Sequence, residues 1–298
     1  MFIQRRCRKQ GWLYDSSAMF LKTLAAQSAT SLLILANMSF AAPVKTGYAP
    51  VHGLKLYYEI HGPADTAQPP LVLLHGGGDT IETSFGHVLP VLAKTRRIIA
   101  FEQQGYGHTA DVDRPFSFEQ SADDTAALLE FLKVERADLC GFSNGATIAL
   151  QVAIRHPKAV RKLVVISGLF ARDGAEPQFW EWMKAARLET MPIELQEAYR
   201  KVAPHPENLR LFHDKAAQRM RDFTDIASEA IRSIAAPTLI MLGDADVVRP
   251  EHGVALMRLI PQARLAVLPR TDHMQMMQRS ETLVPLIEEF LNAATDGK

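Results

Sequence analysis

Short apolar runs alternate with amphipathic segments along most of this 298-residue chain, and the alternation restricts the folds that it can adopt. From about residue 48 the apolar runs are continuous and bounded by Gly, Pro or Asp, which is typical of strands buried on both faces. Alternating strands and helices build βαβ units, so we predict an α/β fold with a mostly parallel central sheet and helices on both faces. The predicted strands are 54–60, 71–74, 97–101, 137–140, 162–166, 238–241 and 265–268, and the predicted helices are 85–94, 118–133, 145–156, 253–260 and 283–291.

The alternation is interrupted between residues 169 and 235. Aromatic and aliphatic side chains recur there at helical intervals, and Pro192, Pro204 and Pro206 divide the stretch into several helices. We therefore predict a helical cap that is inserted into the core and lies over the sheet. The predicted organisation is a signal peptide with an upstream extension over 1–41, a core in two parts over 42–168 and 236–298, and the cap over 169–235.

One pentapeptide carries the strongest chemical signal in the chain. Gly141-Phe142-Ser143-Asn144-Gly145 follows a predicted strand and precedes a predicted helix, which is the context of a G-x-S-x-G nucleophile turn. A sharp turn of this kind brings backbone close to both glycines, where side chains would clash. It would also raise the serine hydroxyl above the sheet, at the positive end of the next helix. We predict Ser143 as a nucleophile, with a chance Gly/Ser turn as the alternative.

A second glycine-rich turn, His75-Gly76-Gly77-Gly78, follows another predicted strand. Its backbone N–H groups are unobstructed, and we expect the N–H of Gly77 to form an oxyanion hole with the N–H of Asn144. A phosphate-binding loop is the alternative, but the turn lacks the Gly-Lys-Ser/Thr ending and the G-x-G-x-x-G pattern of such loops. The imidazole of His75 is expected to bond local backbone.

An acid and a base for Ser143 follow two later predicted strands. Asp246 and His273 both come at carboxyl ends of strands, the edge where open α/β sheets place their sites. An imidazole has to take the serine proton, and a carboxylate has to fix the imidazole tautomer. We therefore predict a triad of Ser143, Asp246 and His273. Asp244 and Asp173 are the alternatives for the acid, the second of them after the preceding strand.

These motifs resemble the α/β-hydrolase superfamily, in its capped branch of esterases and carbon–carbon bond hydrolases, over about residues 48–294. A further family pattern, D-x-x-G-x-G-x-S, is altered here, with Glu102 in place of the acid and Thr109 in place of the serine. We expect these departures to affect loop support and not chemistry. The family's H-G-x oxyanion turn corresponds to residues 75–77, its G-x-S-x-G turn to 141–145, its G-x-x-D acid to Asp246 and its late histidine to His273.

The resemblance implies a serine hydrolase that cleaves a carboxylic ester, or a related acyl bond, of a small substrate through an acyl-enzyme. A carbon–carbon bond hydrolase or a lactonase with the same triad is one alternative. A non-catalytic ligand-binding or receptor protein on the same fold is another. Serine at position 143 argues against haloalkane dehalogenases and epoxide hydrolases, relatives that need a carboxylate nucleophile. We expect no metal, no organic cofactor, and a small-molecule substrate as the partner.

We expect a hydrophobic substrate because of the apolar side chains in the predicted cap. Phe179, Trp182 and Met183 share one face of a helical segment, at about 100° per residue, whereas Trp180 points elsewhere. We expect the first three side chains to line or support the substrate pocket. The alternative is that the same stripe forms the cap's own core.

The N-terminal stretch has the order of a secretory signal. Residues 19–22 form a basic start, 24–36 an apolar run too short and polar to span a membrane, and 39–41 a small-residue cleavage site before Ala42. We expect an exported protein, periplasmic or secreted, with no stable membrane insertion after cleavage. A disordered extension on a cytoplasmic enzyme is the alternative. Acidic and basic residues balance at 33 each, so no global charge indicates nucleic acid as a partner. The sequence leaves the oligomeric state and the start codon (Met1 or Met19) open.

Overall fold

The central sheet has eight strands within residues 45–294, the part of the chain that the computed structural model describes. The predicted signal peptide lies outside the described residues. The strands are β1 (Lys45–Val51), β2 (Leu54–His61), β3 (Leu71–Leu74), β4 (Ile98–Phe101), β5 (Ala137–Phe142), β6 (Val160–Ile166), β7 (Thr238–Ala245) and β8 (Ala263–Asp272). Their order is β1-β2-β4-β3-β5-β6-β7-β8. The pairs β1–β2 and β2–β4 are antiparallel and the other five are parallel, which confirms the predicted fold class.

Helices cover both faces of this sheet. On β3, Leu71 and Leu73 point into one apolar cluster, whereas Val72 and Leu74 point into another, as the alternation of a strand requires. The helices among the described residues are α1 (Ile81–Phe85), α2 (Leu89–Leu92), α3 (Phe118–Phe131), α4 (Asn144–Arg155), α5 (Pro177–Lys184), α6 (Ile193–Val202), α7 (Leu209–Arg221), α8 (Ser228–Arg232), α9 (Pro250–Leu259) and α10 (Ser280–Asn292). The first cluster contains side chains of α1, α2 and α10, and the second contains those of α3, α4 and α9.

Two elements differ from the sequence prediction. Strand β1 was not predicted, because Gly47 and Pro50 lower its strand propensity, and such residues are tolerated at the edge position that β1 occupies. The predicted helix 85–94 is wrong, since α1 and α2 take its place as two short helices. Pro90 lies at the start of α2, where its missing N–H is harmless, but it would interrupt a continuous helix.

The chain between β6 and β7 runs through α5, α6, α7 and α8 and adds no strand to the described sheet. Trp180 and Phe223 from this insert belong to the apolar cluster that also contains α3 and α4 side chains. Tyr199 and Phe212 stack at 4.8 Å in a separate cluster with Tyr106. Apolar packing therefore holds the insert against the core at two places. Within residues 45–294, no helix combines the length and the hydropathy needed to cross a membrane.

A buried lysine ties the end of α10 to the sheet. The ammonium of Lys162 on β6 donates to the carbonyl oxygens of Phe290, Leu291 and Ala293, at 2.8, 3.2 and 2.6 Å. These belong to the last turn of the helix, whose carbonyls have no partners within the helix. Lys162 lies at the amino end of β6, away from the edge that carries Ser143.

Lys162→Met should lower the free energy of unfolding by about 1–3 kcal/mol, because it leaves the buried carbonyl of Phe290 without its donor. Turnover per folded molecule should stay the same. Urea unfolding measures the first quantity and an activity assay on folded protein the second. The control is Lys158→Met, an exposed lysine, which should change stability by less than about 0.5 kcal/mol. Equal stability of the two variants would contradict the role given to Lys162.

Candidate active site

The turn between β5 and α4 holds Ser143 in a conformation that few residues adopt. Its φ is 53° and its ψ is −118°, a strained region for a residue with a side chain. A Cβ on Gly141 would lie 2.2 Å from the carbonyl oxygen of Gly145, and one on Gly145 would lie 2.0 Å from that of Leu74. Both positions of the pentapeptide therefore require glycine. The Ser143 N–H donates to the carbonyl of Ile166 at 2.8 Å, which fixes the turn against β6.

The structure brings the three predicted triad residues together. Nε2 of His273 lies 3.0 Å from Oγ of Ser143, and Nδ1 of His273 lies 2.7 Å from Oδ1 of Asp246. A carboxylate can only accept, so Nδ1 carries the proton and Nε2 is left to accept the serine O–H. Asp244 is exposed and accepts from the N–H of Thr271, and Asp173 is exposed as well. Of the three candidate acids, only Asp246 bonds His273.

Asp246 is buried, yet it is kept ionised by its donors. Burial favours the neutral acid and would raise its pKa, but hydrogen bonds from His273, Ser167 and the N–H of Val248 outweigh this effect. The pKa of Asp246 therefore lies below its ordinary value. The carboxylate can then hold the imidazole in one tautomer and stabilise it when it becomes charged.

Ser167 is a site residue that sequence reasoning missed. It directly follows β6 and has a φ of 54°, in the left-handed region that a residue with a side chain seldom occupies. Its N–H donates to the carbonyl of Met241 at 2.8 Å, and its hydroxyl donates to Oδ2 of Asp246. Its position at the carboxyl end of a strand was the available signal, but a lone serine there has no motif.

The glycine-rich loop after β3 is held by His75. Burial lowers the pKa of His75 to about 4, so the ring is neutral at pH 7 and each nitrogen has one role. Nδ1 donates to the carbonyl of Gly76 at 2.9 Å, and Nε2 accepts the N–H of Gln103 at 3.1 Å. In a trans peptide the C=O and N–H point in opposite directions, so this bond turns the Gly77 N–H away from His75.

The neighbouring peptide of this loop is also fixed. The Gly76 N–H donates to Oγ of Ser84 at 3.0 Å, and Ser84 in turn donates to Oδ2 of Asp79 at 2.7 Å. Gly76 therefore has no free donor, whereas Gly77 lies against the side chain of Asn144, where an added Cβ would meet Nδ2 at 2.5 Å. The two residues that are expected to supply the oxyanion donors, Gly77 and Asn144, are therefore neighbours.

A small cavity adjoins Ser143. Its volume is about 20 Å³, roughly the room that one water molecule needs. Side chains of the insert form one part of its wall and residues of the sheet edge form the rest. The lining residues are Ser143, Asn144, Thr147, Ser167, Leu169, Phe179, Met220, Phe223, Val247, Val248 and His273.

The three residues that were expected to line or support the pocket lie in different positions. Phe179 lines the cavity, but Trp182 and Met183 do not. Met183 is packed in the core, and Trp182 is 52% exposed. The reason is the orientation of α5: Trp180 faces inward, with its N–H donating to the carbonyl of Arg172 at 2.7 Å, so Trp182 lies on the opposite side of the helix.

A serine on a strand-to-helix turn, bonded to a histidine and a buried aspartate at the carboxyl edge of a parallel sheet, defines serine hydrolases of the α/β-hydrolase fold. A sequence model of the alpha/beta hydrolase family matches residues 71–286. The chain belongs to this family and is a hydrolase, which confirms the resemblance and the enzyme class expected from the motifs. Among residues 45–294, no three His, Cys, Asp or Glu side chains are grouped so that they could hold a metal ion.

Known relatives agree with this assignment. The 2-hydroxymuconate semialdehyde hydrolase of a Pseudomonas species is 30% identical over 247 residues, which cover 76% of this chain and 87% of that protein. The pimeloyl-[acyl-carrier protein] methyl ester esterase of Neisseria meningitidis is 27% identical over 247 residues, covering 75% of this chain and 77% of that one. The crystal structure of an enol-lactonase from Burkholderia xenovorans matches with a TM-score of 0.67, over 83% of this chain and 100% of that one, at 23% identity. The last comparison shows a common fold.

Ser167→Ala should lower kcat/KM by about tenfold, because it removes a donor to the charged Asp246, a bond that contributes about 1.5–3 kcal/mol. The measurement is steady-state kinetics on an ester substrate, with a melting curve to establish that the variant is folded. The control is Ser233→Ala, which removes a serine hydroxyl that bonds a helix carbonyl away from the site. A loss equal to that of the control would show that Ser167 does not act on the triad.

Proposed function

We propose that this hydrolase cleaves carboxylic esters, or related acyl bonds, of small hydrophobic substrates through an acyl-enzyme on Ser143. The observation that carries the proposal is the continuous chain of hydrogen bonds from Ser143 to His273 and from His273 to Asp246, at 3.0 and 2.7 Å. A serine hydroxyl becomes a nucleophile when such a base can take its proton.

The chemistry follows from the positions of these groups. Oγ of Ser143 attacks the scissile carbonyl carbon while its proton passes to Nε2 of His273. His273 then gives that proton to the leaving alkoxide, so the alcohol departs and the acyl group stays on Ser143. A water molecule, deprotonated by the same nitrogen, attacks the acyl carbon; the bond to Oγ of Ser143 then breaks, His273 returns the proton to Oγ, and the acid is released. Asp246 keeps its charge throughout and stabilises the imidazolium that forms in each half-reaction.

The negative charge that develops on the carbonyl oxygen is stabilised by the N–H groups of Gly77 and Asn144 in this proposal. Three observations support it. The Gly76–Gly77 peptide is fixed through its carbonyl by His75, the Gly76 N–H is already bonded to Ser84, and Asn144 begins helix α4. Donors fixed before the reaction stabilise an oxyanion without reorganising, and each is worth about 3–4 kcal/mol of barrier.

The size and lining of the cavity support a small apolar substrate. Leu169, Phe179, Met220, Phe223 and the valines 247 and 248 supply most of the wall. Because the space of about 20 Å³ is roughly the room of one water molecule, only the smallest acyl groups fit beside Ser143 without displacing side chains of the insert. Longer chains require those side chains to move.

Cleavage of a carbon–carbon bond, or of a lactone, by the same triad is the second candidate. The similarity to a relative named 2-hydroxymuconate semialdehyde hydrolase, at 30% identity, favours considering it. In both candidates Ser143, His273 and the two N–H donors keep their roles, and the substrate differs. Assays with simple esters beside a vinylogous keto acid and a lactone separate the candidates.

Ser143→Ala should reduce ester hydrolysis by at least about 10³-fold and leave the fold intact, because only binding and the oxyanion donors remain. Asp246→Asn should cost far more activity than its matched variants Asp244→Asn and Asp173→Asn, since only Asp246 bonds His273. The measurement is kcat/KM for p-nitrophenyl acetate with each purified variant. Activity of Ser143→Ala within tenfold of the native protein would contradict the proposal, and so would Asp173→Asn as the most damaging of the three aspartate variants.

Phe179→Ala should shift the acyl-chain preference towards longer esters, because it removes part of the cavity wall and so enlarges the cavity. The ratio of kcat/KM for p-nitrophenyl hexanoate to that for p-nitrophenyl acetate should rise by about tenfold or more. This is the typical change in discrimination when a pocket no longer excludes one extra apolar group. Lys184→Ala on the same helix is the control, since its side chain is exposed and does not line the cavity. Equal ratios in both variants would mean that the cavity does not hold the acyl group.

We also propose that the protein is exported and is periplasmic or secreted. The support is the sequence order of a basic start over 19–22, an apolar run over 24–36 and small residues over 39–41. A cytoplasmic enzyme with an N-terminal extension is the alternative.

Protein expressed from the full gene should have a mature N-terminus at or near Ala42 and should be recovered outside the cytoplasm. Intact-mass measurement of fractionated cells tests this prediction, because cleavage removes a defined mass. Replacing Ala41 with a bulky residue is the control, since it should block cleavage and leave the precursor. A soluble cytoplasmic species that retains residues 19–41 would count against export.

A further inference from the structure

The polar side chains in the wall of the cavity are satisfied by the protein, with one exception among the described residues. The hydroxyl of Thr147 donates to the carbonyl of Leu169 at 2.9 Å and accepts the N–H of the same residue at 3.2 Å. Ser167 donates to Asp246. Ser143 and His273 bond each other, as the triad requires. None of these groups is free to bind a substrate oxygen before the reaction begins.

The exception is the side-chain amide of Asn144. It lines the cavity, the residue is 9% exposed, and its amide makes no hydrogen bond to any of residues 45–294. An amide has two donors and a strong acceptor, and in Asn144 none of them is bonded to another described residue. A ligand oxygen that enters the cavity would complete them.

The location of this amide defines which part of a substrate it would meet. Nδ2 lies beside Gly77, whose N–H is the proposed donor to the carbonyl oxygen under attack. An oxygen on the carbon next to the scissile carbonyl can point to the same side as the carbonyl oxygen. No lysine or arginine lines the cavity, so a neutral oxygen fits and a free carboxylate does not.

We infer that the side-chain amide of Asn144 is a specificity subsite that binds a neutral hydroxyl or carbonyl oxygen adjacent to the scissile carbonyl. The inference rests on the proposed function and names its substrate class: esters of short 2-hydroxy or 2-oxo acids. The backbone N–H of Asn144 stabilises the oxyanion, and its side-chain amide binds the oxygen on the carbon next to the scissile carbonyl. The apolar part of the wall then contacts the short remainder of the acyl group.

The test compares methyl lactate, as both enantiomers, with methyl propanoate, which has the same carbon chain and lacks the hydroxyl. The electron-withdrawing hydroxyl of lactate also activates the ester chemically, in every variant alike. The quantity to compare is therefore the ratio of kcat/KM for methyl lactate to that for methyl propanoate, in the native protein and in each variant. Asn144→Leu has a similar shape, keeps the backbone N–H and removes the amide. The lactate-to-propanoate ratio of the better enantiomer should fall by about tenfold in this variant, as for loss of one substrate hydrogen bond. Asn144→Ala should give the same direction, and melting curves establish that both variants fold.

Thr147→Val is the matched control, because it removes a polar group from the same wall whose hydroxyl is already bonded by the protein. Its lactate-to-propanoate ratio should equal that of the native protein. An unchanged ratio in Asn144→Leu would overturn the inference, and so would an equal loss on both esters, which would make the amide a third oxyanion donor. If p-nitrophenyl acetate is hydrolysed through Ser143 and neither methyl ester is, the subsite is overturned while the proposed function stands. Absence of all ester hydrolysis would overturn the proposed function itself.

Discussion

The turn from β5 into α4 passes so close to neighbouring backbone that only glycine fits at positions 141 and 145. A Cβ on Gly145 would lie 2.0 Å from the carbonyl oxygen of Leu74 on β3. This close approach forces Ser143 into its strained conformation, at a φ of 53°, and lifts its hydroxyl above the sheet. It also places the start of α4 beside the glycine-rich loop that follows β3. The nucleophile, the helix N-terminus and the expected oxyanion donors are thus brought together by one steric constraint.

The other site residues reach this point because parallel strands end at a common edge. Ser167 follows β6, Asp246 follows β7 and His273 follows β8, so three loops converge on Ser143. Burying the Asp246 carboxylate is unfavourable. Three donors offset this cost: the hydroxyl of Ser167, the N–H of Val248 and the ring of His273. Phe179 and Phe223 of the insert line the cavity beside Ser143 from the remaining side.

Much of this arrangement could be predicted from the sequence, because its signals are local. The glycines of the turn, the apolar strands before each site residue and the order of serine, acid and histidine are all visible along the chain. Other features depend on tertiary packing. The rotation of α5, which buries Trp180 and exposes Trp182, depends on a bond to the Arg172 carbonyl. Strand β1 forms by pairing with β2. Ser167 gains its role through a hydrogen bond to Asp246, an acid distant in sequence.

The central claim is that Ser143 is a nucleophile activated by His273, and covalent trapping tests it most directly. The protein is incubated with a fluorophosphonate, digested, and its peptides are weighed to locate the adduct. We expect one adduct, on Ser143, formed at a rate that falls by at least about 10³-fold in His273→Ala. An adduct on another residue, no adduct on folded protein, or labelling of Ser143 at an unchanged rate without His273 would contradict it.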